Sequence, residues 1–152
     1  MIDRELAAFL EEGLVVHLGT RNAHLEPNGA RVTAVMVEAD GSHVTAYVPK
    51  VAAGHVLRDL EDTRLAALVF VRPSDDRACQ VKGVFVGSRA ASARERAAVT
   101  AQWDRVRQGL ERVGVPRTLS DSWTIWPSVA LRVRVTDLFN QTPGPGAGAS
   151  LR

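Results

Sequence analysis

The sequence predicts a mainly β domain in which six antiparallel strands close into a small barrel, with helices at its periphery. Three observations carry this. The apolar segments are short, rich in β-branched residues, and several alternate with period two. Neighbouring segments are joined by tight turns such as Asp40-Gly41, which parallel strands cannot use because they need a long crossover. Helical spacing occurs in only three places, giving the order helix, three strands, helix, two strands, helix, strand. Closing such a sheet on itself removes its exposed edges.

Each element follows from local chemistry. Asp3 is the expected N-cap of a short amphipathic helix with Leu6, Phe9 and Leu10 on one face and Gly13 past its end. "LVVHLGT" (Leu14 to Thr20) reads as the first strand, closed by a turn-forming stretch around Asn22, Pro27, Asn28 and Gly29. "ARVTAVMVEA" is a second, longer strand ending at the Asp40-Gly41 hairpin, and His43 to Val48 is the third. Pro49 stops that strand, and Val51, Val56, Leu57 and Leu60 have helical spacing. "RLAALVFV" is a continuous apolar run suited to a strand buried on both faces, and "ACQVKGVFVGS" alternates after a polar loop from Arg72 to Arg77. Ser92, with Glu95 three residues on, opens the longest helix as a capping box, running to Gly114 and Pro116. "VALRVRVTDLF" is the last strand, and residues 140–152 form a Gly/Pro-rich tail of the single domain expected over 1–152.

Composition narrows the function. With 45% apolar and 24% charged residues the chain is neither disordered nor collagen-like. Its longest apolar runs fall far short of the ~20 residues that span a bilayer. "MIDRELAAFLEEG" carries acids where a signal peptide needs a basic start, so a cytoplasmic protein without a membrane partner is expected. The net charge of +2 gives no reason to expect a nucleic-acid partner. Its distribution is uneven: residues 1–76 hold 7 basic and 12 acidic side chains and residues 77–152 hold 12 and 5, which favours packing of the halves or self-association. The lone Cys79 forms no intramolecular disulfide and excludes a cysteine-cluster metal site. The four histidines, His17, His24, His43 and His55, lack metal-motif spacing, and no metal is expected. There is no phosphate-binding glycine loop and no nucleophile elbow: "GPGAG" follows a strand but no helix follows it.

What remains is a pattern spread along the chain. "VVHLGTRNAHLEPNGARVTAV", "TAYVPKVAAGHVLRDLEDTRLAALVF" and "RACQVKGVFV", in this order and spacing, resemble the pyridoxamine 5′-phosphate oxidase-like, FMN-binding split-barrel superfamily. The tail "FNQTPGPGAG" is similar to the ending of its short bacterial members. The resemblance implies a six-stranded antiparallel split barrel, forming a homodimer with cofactor clefts at the interface. It implies FMN as cofactor and an oxidoreductase whose flavin accepts hydride or electrons from a small substrate or a reduced nicotinamide. Arg31, Thr33, Lys50 and Gln80 become the cofactor-binding candidates, with Lys82 close by. A dianionic phosphate wants Arg or Lys donors and the free N–H groups of a helix start, which agrees with Lys50 preceding Val51.

The chain also departs from that pattern. Ala52 and Ala53 stand where the oxidase carries an Arg-Lys pair for the phosphate, and Met36 stands where it has a lysine. The substrate-binding region that such enzymes carry at the C-terminus is short here. No catalytic residue is assigned, and the enzyme reading stays open beside two others. One is a non-catalytic barrel that lost the flavin phosphate site and holds another ligand; the other is a haem-binding split barrel using one of His17, His24, His43 or His55. Trp103 is expected to pack on the barrel, and Trp123 and Trp126 to flank a loop that packs at an interface or reaches a partner's flavin.

Overall fold

The first helix, α1 (Arg4–Leu10), starts where its cap predicts: the Leu6 N–H donates to Asp3 Oδ1 at 2.8 Å, and Phe9 and Leu10 are buried. The computed structural model describes residues 1–151. The strands are β1 (Val15–Arg21), β2 (Pro27–Val32), β3 (Ala34–Val37), β4 (His43–Pro49), β5 (Leu65–Val71), β6 (Ala78–Ala90) and β7 (Ser128–Asn140). A single 3-10 turn, Lys50–Ala52, leads into α2 (Ala53–Thr63), while α3 (Ala93–Arg112) and α4 (Arg117–Asp121) lie between β6 and β7. The capping box at α3 is present, with the Ser92 N–H donating to the Glu95 carboxylate at 2.7 Å. The short α4 was not expected from the sequence.

All pairings are antiparallel, in the order β2-β1-β5-β6-β7-β4-β3. The sheet has seven strands rather than six because the single strand expected through "ARVTAVMVEA" is broken at Thr33. Its first part pairs with β1 and its second with β4. The two ends of the sheet are therefore consecutive in the chain, and the sheet curls into a barrel through one residue. Alternate side chains point inward, among them Val16, Leu18, Val32, Val44, Leu68, Phe70, Val81, Leu131 and Val133, and α2 adds Val56 and Leu60 to the same core.

Two further expectations are corrected. Pro27, Asn28 and Gly29 belong to β2, because Asn22 completes the turn first: its Oδ1 accepts the N–H groups of His24 at 2.9 Å and Glu26 at 3.1 Å. Proline is tolerated at the first position of a strand. β5 is not buried on both faces: Ala66, Leu68 and Phe70 are buried, whereas Ala67 and Val69 are half-buried and Leu65 is 44% exposed. α2 packs mainly against β1 and β2, with a smaller contact on β5, and α3 packs along β3, so the outer side of β5 is left uncovered. Gly83 sits at a bulge in β6, where a Cβ would collide with the Arg134 carbonyl oxygen. The tail folds back on β7, with the Asn140 N–H donating to Ala149 O at 2.8 Å and the Leu151 N–H to Leu138 O at 2.9 Å.

Candidate functional site

Direct cross-strand partners share a face of a sheet, so the registers of β2, β1, β5, β6 and β7 align two rows on the outer surface of the barrel. One row runs Arg31, His17, Val69, Gln80, Phe139; the next runs Gly29, Gly19, Ala67, Lys82, Asp137. Around the second row lies a cleft of about 660 Å³, mostly apolar, with Gly19 and Ala67 in its floor and Arg21, Leu25, Leu65 and Lys82 among its walls. That volume falls within the range of small-molecule sites.

Helix α2 supports the cleft from inside. Asp59 is buried, and its Oδ2 accepts from Thr20 Oγ1 at 2.8 Å and Asn28 Nδ2 at 3.0 Å, tying the helix to paired positions of β1 and β2. Asp62 accepts the Ala23 N–H at 2.8 Å, which fixes the turn at the rim. Leu25, in that turn, is 69% exposed and has a left-handed φ of 66°. An apolar side chain held outward in an unfavourable backbone region is a feature that concentrates at ligand sites.

Three of the residues singled out from the sequence share this face: Arg31, Gln80 and Lys82. Lys82 lines the cleft, with Nζ 5.1 Å from the Phe139 ring centroid, and half-buried Gln80 lies one row away. Arg31 stacks on Trp123, with Cζ 3.6 Å from the ring centroid, and burial pushes its pKa down. The other two are not brought there. Thr33 is buried at the barrel closure with its hydroxyl donating to Tyr47 O at 3.0 Å, and Lys50 opens the exposed turn after β4. Arg21, Leu25 and Gly19 were missed; the available signal was parity, since Gly19 and Arg21 alternate in step with His17.

Ala52 is exposed, whereas Ala53 is buried beneath α2 with Val56 and Leu60, so a basic side chain at 53 would enter the core. The histidines are dispersed. His17 lies on the outer face, its pKa lowered by desolvation and then by neighbouring Arg31. His24 is in the rim turn, His43 Nδ1 lies 2.7 Å from Asp40 Oδ2, and His55 pairs with Arg58 on α2 at 2.7 Å. Glu38, Asp40 and His43 cluster closely enough to offer ligand atoms to a cation, but Arg132 holds both Glu38 oxygens at 2.7 Å. Burial pushes the Cys79 thiol up to about 11, which leaves it a packing residue. Trp103 packs on the barrel with Trp123 at 5.7 Å between ring centroids, and Trp126 joins a small second core around Tyr47.

Known proteins bear on the fold. No family profile and no curated protein matches the chain. Among solved structures, HupZ of Group A Streptococcus superposes with a TM-score of 0.59 at 16% identity, over 97% of this chain and 100% of that one. A provisionally named pyridoxamine 5′-phosphate oxidase from Lactobacillus delbrueckii gives 0.56 at 12%, over 91% and 93%. An FMN-binding protein from Syntrophomonas wolfei gives 0.55 at 13%, over 90% and 86%. HutZ, the haem storage protein of Vibrio cholerae, gives 0.50 at 16%, over 91% and 94%. The chain thus has the split-barrel fold of the pyridoxamine 5′-phosphate oxidase-like flavin proteins, a fold that also houses a haem protein. No helix among the described residues is long and apolar enough to cross a membrane.

Proposed function

We propose that the chain binds FMN in the cleft on its outer sheet face and serves as a flavin-dependent oxidoreductase for a small substrate. The observation that carries this reading is the combination, on one uncovered face, of an apolar cleft floored by small residues with two cations, Arg21 and Lys82, against one carboxylate, Asp137, in its wall and Gln80 one row away. These residues fit a flat aromatic ring bearing an anionic arm: the floor takes the ring, and the two cations replace the missing Arg-Lys pair as phosphate donors. The Gln80 amide can both donate and accept at a ring edge. Bound FMN would supply the acceptance of hydride or electrons from a substrate or a reduced nicotinamide. The residues lining the cleft include no histidine or cysteine, so the chain's own part is to bind, orient and exclude water. Exposed Leu25 and Leu65 beside the cleft favour a second copy closing over it, in a homodimer.

Titration with FMN, followed by flavin fluorescence and by melting temperature, tests the reading. Saturable binding with a rise in Tm is expected, weakened in Lys82→Ala and Arg21→Ala. A protein indifferent to FMN would overturn it and leave a binder of something else. A haem-binding role is the second reading, favoured by His17. This imidazole stands on the same face, and its lowered pKa keeps it neutral and able to ligate at pH 7. A Soret band that His17→Ala abolishes would establish it.

A further inference from the structure

We infer that Gly19 and Ala67 form a landing for a planar ring system, and that Gly19 sets how closely the ring approaches. The inference rests on the reading of this face as the ligand site and goes beyond it by naming the residue that decides what the site admits. Gly19 lies in the middle of β1, a strand paired on both sides. A glycine there weakens the strand relative to alanine. The fold does not ask for it. Gly19 is not among the positive-φ glycines, and a Cβ built on it meets nothing nearer than Ala67 O at 3.8 Å, an ordinary contact. Gly13 and Gly41, by contrast, each have positive φ and a neighbouring atom 2.5 Å from any Cβ.

The space that Gly19 leaves open lies in the cleft. Its neighbours on the same face of β1, His17 and Arg21, carry long polar side chains, so the glycine is a notch between them. Ala67 extends the notch onto β5, and Lys82 of β6 closes the row across the cleft. Three strands span about 10 Å, the long dimension of a fused tricyclic aromatic. A mid-strand glycine without a conformational reason marks close approach by a ligand or another backbone. Arg21 and Lys82 at the edge outnumber the one lining carboxylate, Asp137, and favour a ring with an acidic substituent.

The test compares full-length wild type with Gly19→Ala and Gly19→Val. It measures Tm without ligand, FMN affinity by fluorescence, haemin affinity by absorbance, and oligomeric state by sedimentation. Both variants are expected to keep or exceed the wild-type Tm, with FMN affinity falling about tenfold in Gly19→Ala and further in Gly19→Val. Should the valine variant melt early, the alanine variant carries the comparison. Equal FMN affinity in wild type and both variants would overturn the inference and leave the FMN reading standing. Wild type that binds haemin but not FMN, with haemin lost in the variants, would uphold the landing and overturn the FMN reading. Wild type that binds neither would overturn both. A wild-type dimer that both variants dissociate, with Tm falling, would mean that the notch seats a partner's backbone, and would overturn the inference.

Discussion

Thr33 donates twice to the carbonyl oxygen of Tyr47, through its backbone N–H at 2.9 Å and its hydroxyl at 3.0 Å. The residue at which one strand breaks into two is thus the residue that ties the two halves to β4. A carbonyl has two lone pairs, so both bonds form at once. Thr33→Val keeps the shape and the backbone bond and removes only the hydroxyl. Because Tyr47 O remains partnered, a loss of about 1 kcal/mol in urea unfolding is expected. A loss above about 3 kcal/mol would mean that the closure hangs on the hydroxyl itself.

Gln102 completes the exposed edge of β3. Its Oε1 accepts the Val35 N–H at 2.6 Å and its Nε2 donates to Val35 O at 3.0 Å, so one buried side-chain amide stands in for a neighbouring strand. Glu11 accepts the next outward N–H, that of Val37, at 2.6 Å. Gln102→Leu leaves a buried donor and acceptor of Val35 unpaired, each costing about 1–3 kcal/mol. The variant should unfold at clearly lower urea and, with its strand edge freed, associate at high concentration in light scattering. Wild-type stability in Gln102→Leu would show that water replaces the amide at no cost.

The sequence was most legible where structure is decided locally. Asp3, the Ser92–Glu95 box and the Asp40-Gly41 hairpin are short-range chemistry, and each forms as expected. The barrel closure was not legible, because the break at Thr33 depends on a carbonyl fourteen positions away. Among the site residues, Gln80 and Lys82 share a face because they are two apart on one strand, a relation visible in the sequence. That Arg31 would stack on Trp123 depends on where α4 and the loop after it dock, and no periodicity encodes that. The Gly19 notch was hidden for a similar reason: strand parity gives two faces, and only the placement of the helices decides which stays uncovered.

Asp59 offers a test of the support beneath the cleft. Its Oδ2 receives Thr20 Oγ1 and Asn28 Nδ2 inside the fold, and its removal orphans both donors. Asp59→Ala should cost about 2–4 kcal/mol, in keeping with a buried charged hydrogen-bond acceptor. Asp59→Asn retains one acceptor oxygen and should recover part of it. Hydrogen exchange at the 22–26 turn should speed up in the alanine variant, because the same helix fixes that turn through Asp62. Unchanged exchange there would show that Asp62 and the Asn22 side chain hold the rim without Asp59.

The last prediction concerns acid stability at the start of α3. Glu95 accepts both Arg89 guanidinium nitrogens at 2.6 and 2.7 Å, the Tyr47 hydroxyl at 2.6 Å, and the Ser92 N–H and hydroxyl at 2.7 and 2.8 Å. Arg89 above all, then Tyr47 and Ser92, hold its carboxyl well below the ordinary carboxylate range. Burial, and then the carboxylate, push the Tyr47 phenol up, so it remains a donor throughout the accessible range. A carboxyl whose folded pKa is depressed binds fewer protons folded than unfolded. Its contribution is therefore complete above the unfolded value near 4.5 and declines as pH falls below it toward the folded value. Glu95→Gln should be less stable than wild type at pH 7 by about 2 kcal/mol, the scale of a charge-assisted hydrogen bond. The gap should narrow steadily in urea titrations between pH 4.5 and pH 3. A gap that stays constant over that range would mean that the shape of the side chain, and not its charge, secures α3 to the barrel.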